Sequence, residues 1–250
     1  MVLKHRSVIS QILASILVNA IYAMQNYPIM FINTLLAPVS ILVVITFISH
    51  GALVGLGIEG ALIMTAVMSG VSMQGDLSHL KNDLKLQDMV VTSPTGSLVY
   101  VTGMGISEIV FSIPVLVLLI ILASIYLHPT FIQAMTIIAV MAVMFIFSTA
   151  LGFFLSTLTT DVLQSWGFSG IVTVLLSTIP PVYYPISYIP LPFRYVAYIS
   201  PTTYAAQIAQ SAMNYVSVTP LGIARDWLII IGVCVFLLFI GYKKARWREP

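Results

Sequence analysis

Charge is what this sequence has least of: 7% of its residues are Asp, Glu, Lys or Arg, against roughly a quarter in an ordinary soluble protein. Ten basic and eight acidic side chains cannot cover a water-exposed surface on 250 residues, which excludes a soluble enzyme, and a formal charge of +2 leaves no basic face for nucleic acid. There is one cysteine, Cys234, so no intrachain disulfide and no cysteine cage for a metal can form; within its apolar run it acts as a small hydrophobe. The histidines, His5, His50, His79 and His128, stand singly and lack the spacing of metal ligands. No Gly-Lys pair occurs, so the phosphate-cradling loop G-x-x-x-x-G-K-[ST] is absent and any ATPase must be another subunit. Without repeats, low-complexity tracts or linkers, the chain is expected to form one transmembrane domain over 1–250.

What is present is apolar surface. Hydrophobic residues make up 59% of the chain, and a mean hydropathy of +1.05 names lipid as the main solvent. About 20 apolar residues cross the hydrocarbon core as a helix, which predicts an all-α, polytopic membrane protein with six transmembrane helices at 29–49, 57–74, 98–127, 131–155, 166–184 and 227–242. Pro114 predicts a break or kink in the third, while Trp227 and Tyr242 border the short sixth at the two interfaces. Gly51, Gly55, Gly57, Gly60, Gly103 and Gly105 are expected at turns and close helix crossings.

Lys4, Arg6, Lys81, Lys85, Lys243, Lys244, Arg246 and Arg248 all fall on one side of these spans, with Arg194 and Arg225 on the other. The positive-inside rule then places both termini in the cytoplasm and the chain in the cell membrane as a multi-pass protein. Over 7–26, Ile9, Ile12, Leu13, Ile16, Leu17, Ile21 and Met24 recur near helical spacing with Ser10, Gln11, Asn19, Gln25 and Asn26 largely between them, which predicts an amphipathic helix in the inner interface. A signal peptide is the rival reading, weakened by the polar residues that interrupt its apolar core.

Two connecting segments are long enough to act. The inner one, 75–97, carries Leu77, Leu80, Leu84 and Met89 beside Asp76, His79, Lys81, Asp83, Lys85 and Asp88, the pattern of one or two short amphipathic helices ending at Ser93-Pro94. The outer one, 180–226, is dense in proline and tyrosine, which predicts a broken, re-entrant helical segment before the last span. Tyr183, Tyr184, Tyr188 and Arg194 are candidates for an outer gate past which an amphiphilic substrate leaves. Glu59 and Glu108 are candidates for the substrate path, since a carboxylate at a helix centre costs roughly 2.5–3.5 kcal/mol on insertion scales unless paired, protonated or wet. Asp161 falls in a short inner turn. Gly167-Phe168-Ser169-Gly170 has the G-x-S-G form of an intramembrane serine protease, but every histidine precedes Ser169 and lies at a span end or loop, so small-residue packing is the better reading.

Across nearly the whole chain this arrangement resembles the type-2 export permeases of the ABC transporter superfamily. The resemblance is carried by the helix before the first span, by the loop ending in Ser93-Pro94, and by Pro181-Val182-Tyr183-Tyr184-Pro185-Ile186-Ser187-Tyr188-Ile189-Pro190 with Tyr198-Ile199-Ser200-Pro201-Thr202-Thr203-Tyr204. Ser200 departs from the asparagine often found there, and the inner loop lacks the family's Glu-x-Gly-Thr run. The resemblance implies a permease subunit with no catalytic residues, metal or cofactor of its own, working with a cytoplasmic ATP-binding subunit that holds ATP and magnesium. It also implies a second permease chain, as a homodimer or a heterodimer. Leu77, Leu80 and Leu84 would dock on the ATPase with Asp76, Lys81, Asp83 and Lys85 around them, and transport would be export of a drug-like, antibiotic or lipid-like amphiphile by alternating access. Polysaccharide export is the alternative within the family, an ion-coupled secondary transporter the alternative outside it. A membrane-embedded enzyme would need a convergent catalytic set, which the sequence lacks, and a scaffold without transport is the remaining rival.

Overall fold

Lipid offers no hydrogen-bond partners, so a chain this apolar must satisfy its backbone within each segment, as helices do. The structure, a computed structural model, describes residues 8–26, 28–82, 97–159 and 161–244, among which there is helix and no strand. Helix α1 (Val8–Ile16) runs through a π-helical turn, Leu17–Ile21, into α2 (Tyr22–Asn26). Then come α3 (Pro28–Ile48), α4 (Val54–Asn82), α5 (Ser97–Tyr126), α6 (Phe131–Ser156) and α7 (Val162–Thr178). A 3-10 turn, Ile186–Tyr188, leads to α8 (Leu191–Ala197), α9 (Pro201–Ala212) and α10 (Pro220–Lys244).

The predicted crossings correspond to α3 to α7 and α10. Val54–His79, Val99–Tyr126, Phe131–Ser156 and Pro220–Gly241 are long and apolar enough to span a membrane, as is Val8–Asn26, whereas Pro38–Ile48 and Val162–Thr178 are shorter apolar helices. Residue pairing fixes their directions. Ser69 meets Ser112 and Ser72 meets Glu108, so α4 and α5 are antiparallel; Ser148 reaches the Ala66 carbonyl while Gly152 faces Gly70, so α4 and α6 are parallel. Gly75 faces Trp166 and Gln74 meets Ser169, so α7 runs back against α4. One end of the bundle therefore holds Asn82, Ser97, Ser156 and Lys244, here the basic end; the other holds Val54, Tyr126, Phe131 and the proline-rich segment, the aromatic end.

Helix α4 is the central element: 83% of its apolar window is buried, against 39% or less for α5, α6 and α10. Between helices in lipid the hydrophobic effect gives little, so close van der Waals contact and interhelical hydrogen bonds hold the bundle. Ile58, Ile63, Met64 and Met73 of α4 are fully enclosed, with Leu119 of α5, Met144 of α6 and Ile230 of α10.

Several helix boundaries and one interior proline differ from expectation, among them α7, which ends at Thr178 where its span was expected to reach 184. Helix α4 continues to Asn82 where its span was drawn to end at 74, so the first part of the inner segment is helix continuous with the span. Helix α10 begins at Pro220, seven residues before the predicted start. Helix α5 passes through Pro114 without interruption, Ser112 being held to Ser69 at 2.6 Å just before the proline. Such prolines are tolerated where neighbouring helices secure the backbone.

The aromatic end is organised by caps. Thr130 and Gln133 form a reciprocal capping box at the start of α6, and Gln133 Nε2 also donates to the Ala212 carbonyl of α9 at 2.9 Å. Thr130→Ala should lower stability by about 1 kcal/mol, read as a lower thermal midpoint in mild detergent; an unchanged midpoint would show the cap to be dispensable. Asn214, with φ of 63°, ends α9 in a left-handed turn that returns the Tyr215 N–H to the Gln210 carbonyl at 2.9 Å. Too short to cross a bilayer, α9 is secured by Thr202, which donates to the Leu176 carbonyl at 2.9 Å, and by Gln210, which donates to the Pro181 and Tyr184 carbonyls at 3.3 Å each.

Candidate functional site

Ser69, Ser72 and Asp76 are spaced to share one face of α4, and Glu108 and Ser112 one face of the facing α5. Their meeting makes a polar seam leading toward the basic end. The Ser69 and Ser112 hydroxyls lie 2.6 Å apart, Ser72 Oγ donates to Glu108 Oε2 at 2.8 Å, and the Asp76 carboxyl hydrogen-bonds to Glu108. An ionised carboxylate only accepts, so the Asp76–Glu108 bond requires a proton on one of the two. Glu108, expected to pay for its depth, is 8% exposed and has two side-chain partners.

The seam joins two groups of residues that the sequence kept apart, Asp76 from the ATPase-coupling set and Glu108 from the substrate path. Leu77 is also in the bundle, packed with Met73 and Met104 beside Tyr100, Val101 and Phe153. Asp83, Leu84 and Lys85 lie outside the described residues, as do Ser93-Pro94 and the side chains of Leu80 and Lys81. On the neighbouring side, Ser15 approaches Ser107 at 3.5 Å and Asn19 donates to Ser15 at 3.1 Å and to the Met104 sulfur at 3.1 Å. Ser15 and Asn19 of the N-terminal helix thus face α5, whereas Gln25 and Asn26 are exposed, as are Val8, Ile9, Leu13, Leu17 and Val18.

At the aromatic end the proposed gate residues separate. Tyr184 and Tyr188 line a cavity of about 650 Å³ with Ile179, Ile189, Pro190, Phe193 and Val196. Tyr183 turns the other way, its ring packed on Gly60 of α4 and only 4% exposed. Burial pushes the Tyr183 phenol above its ordinary range, so it remains a donor. Arg194 donates to the Ser187 and Ile189 carbonyls at 3.2 and 3.1 Å, tying α8 to the 3-10 turn at the cavity wall. Glu59 is 1% exposed in α4 beside Gly60. It lies 13 residues, roughly 20 Å, along the helix from Ser72, so Glu59 and Glu108 occupy different sites.

Sequence reasoning missed Ser72, Gln74, Tyr215 and Asp226. Ser72 had a readable signal, one turn before Asp76 on the same helix face. Asp226 is fully buried in α10 and bonded to Arg225 at 2.8 Å. Ser169 of the G-x-S-G element donates to Gln74 Oε1 at 3.0 Å; its side-chain partner is an amide, as packing between α4 and α7 requires and a serine nucleophile does not.

The family model described as ABC-2 type transporter matches residues 10–214. The chain belongs to that family. The match begins inside α1 and ends just past α9, so it takes in both the polar seam and the aromatic cavity of this ABC-2 permease. Comparison with curated proteins gives no match. An ABC-2 permease is the membrane component of a transporter, and members of the family generally work with a cytoplasmic ATP-binding subunit. This one is a multi-pass, all-helical membrane protein.

Proposed function

We propose that this permease is the membrane subunit of an ATP-driven exporter that moves an amphiphilic drug-like, antibiotic or lipid-like compound out of the cytoplasm. The observation that carries the substrate class is the aromatic cavity: about 650 Å³ bounded by aliphatic residues and the rings of Tyr184, Tyr188 and Phe193 suits an apolar body with a few hydrogen-bonding groups. ATP and magnesium bind a separate cytoplasmic subunit, since the chain carries no phosphate-binding loop. The segment at 76–90 is the coupling element. Closure of the nucleotide-binding subunits pushes it, and the Ser69–Ser112, Ser72–Glu108 and Asp76–Glu108 bonds carry that push from α4 into α5 as one body. Two permease chains pair around the path, in the simplest case identical ones. The lysine and arginine distribution supports cytoplasmic termini and the cell membrane. Polysaccharide export is the second reading, favoured by the same rings, which offer faces for stacking on sugars.

Purification from native membranes in mild detergent should recover a stoichiometric ATP-binding subunit and ATPase activity. Leu80→Asp should reduce that copurification about tenfold or more, the scale of a charge placed in an apolar docking cleft. An intact, folded permease recovered without any ATPase would remove the exporter reading and favour an ion-coupled carrier built on the Asp76–Glu108 pair.

A further inference from the structure

We infer that Glu59 is a recognition site for an ammonium group, so that the exported amphiphile carries a cationic amine beside its apolar body. This rests on the export reading above and narrows its substrate class.

Glu59 is 1% exposed, and neither of its carboxyl oxygens has a hydrogen-bond partner among the described residues. Buried polar groups in native proteins are nearly always satisfied, and each exception calls for a ligand or another physical reason. The other buried acids each have at least one: Glu108 has Ser72 and Asp76, and Asp226 has Arg225 on Oδ1, with Oδ2 alone unpaired. Nor does a cation among the described residues pair with Glu59. At this end Arg194 is bonded to backbone carbonyls and Arg225 to Asp226.

The surroundings of Glu59 are built by two glycines. A helical side chain lies over the turn preceding its own Cα, which for Glu59 is the turn of Gly55. There the Tyr215 hydroxyl occupies the space a side chain would need, and Tyr215 interacts electrostatically with Glu59. On the following residue, Gly60, a Cβ would lie 2.7 Å from the Val182 carbonyl oxygen, and the Tyr183 ring fills that side. The Tyr183 hydroxyl is likewise buried without a partner. A buried carboxyl group beside a tyrosine hydroxyl, with both of its oxygens open, can hold an organic ammonium through charge and hydrogen bonding together. A hard metal ion needs about six oxygen ligands, and the described residues contain no group of three His, Cys, Asp or Glu able to hold one.

Tyr183 and Tyr184 are the chain link between this point and the cavity. Tyr183 stands against α4 at Gly60, the residue after Glu59, and its chain neighbour Tyr184 lines the cavity wall. In the proposed binding mode the apolar body of an elongated amphiphile rests among Tyr184, Tyr188 and Phe193, and its amine reaches Glu59 when the Tyr183 ring swings off Gly60.

The test uses the purified permease with its copurifying subunit in lipid nanodiscs, titrated with a monodansylated long-chain diamine and with the same molecule acetylated at its free amine. Dansyl fluorescence should show the amine bound about tenfold or more tightly than the acetylated probe, or 1.4 kcal/mol. Glu59→Gln should bring that ratio close to one while leaving the acetylated probe's affinity unchanged, which also reports that the variant is folded. Glu59→Asp should restore most of the preference. A preference that survives Glu59→Gln, or none in the wild type while the acetylated probe binds, overturns the inference and leaves the export reading standing. Binding of neither probe to the wild type, with no effect of either on ATP hydrolysis, overturns both.

Discussion

Gly70→Val should leave no folded permease to purify, and Gly70→Ala should lower its thermal midpoint by several degrees. At the crossing of α4 and α6, a Cβ at Gly70 would lie 2.5 Å from the Thr149 backbone nitrogen and 2.7 Å from the Ser148 carbonyl carbon. The contact is reciprocal, because a Cβ at Gly152 would lie 2.6 Å from the Gly70 carbonyl oxygen. Backbone atoms cannot rotate away, so the helices must separate. Dispersion falls steeply with distance, and in lipid no hydrophobic pressure restores the lost contact. Overpacking by one methyl costs about 1–3 kcal/mol, and a domain of this size loses about 2–4 °C per kcal/mol. Valine adds two more carbons against the same backbone. Gly232→Ala in α10 is the control, since a Cβ there meets nothing within 4 Å and the midpoint should hold. Gel filtration and thermal unfolding in mild detergent would decide it; normal yield and midpoint for Gly70→Val would show that this crossing does not hold the bundle together.

Glu108→Ala should cost about 1–3 kcal/mol, the penalty for leaving buried polar partners unmet, whereas Glu108→Gln should stay near wild type. Alanine strands the Asp76 carboxyl, while the Ser72 hydroxyl, now 2.8 Å from Glu108, falls back on the Ser69 carbonyl at 2.8 Å. Glutamine still accepts from Ser72 through its carbonyl and donates to Asp76 through its amide. A double-mutant cycle with Asp76→Asn should show coupling of about 0.5–3 kcal/mol. Equal losses for the alanine and glutamine variants would mean that the seam contributes through charge or volume instead of its hydrogen bonds.

The two variants also mark where sequence reasoning stopped. On hydropathy the second span ends at 74, before Gly75 and Asp76. The helix continues because its polar groups there find partners on other helices, Gln74 on Ser169 and Asp76 on Glu108. The last helix likewise starts early because Arg225 and Asp226 pair with each other inside it. Hydropathy assigns each polar residue a cost for leaving water and has no way to subtract a partner that arrives from elsewhere in the chain. For the same reason the polar residues of the N-terminal helix predict an interfacial position but give no sign that Asn19 bonds to Met104 of α5 or that Ser15 approaches Ser107.

Composition and spacing by themselves determined that this chain is an all-helical membrane protein, where its main apolar helices run, that it carries no nucleotide loop, and which family it resembles. These are one-dimensional quantities: how long a segment stays apolar, and which residues stand at a fixed offset. Tertiary structure alone decided that α4 is the centre of the bundle, that Asp76 and Glu108 share a hydrogen bond, that Tyr184 and Tyr188 line one cavity while Tyr183 turns away, and that Glu59 is enclosed without a partner. Each depends on which helices touch and in what register, and that is set by close contacts such as Gly70 on Ser148 and Gly60 on Tyr183, between residues far apart in the chain.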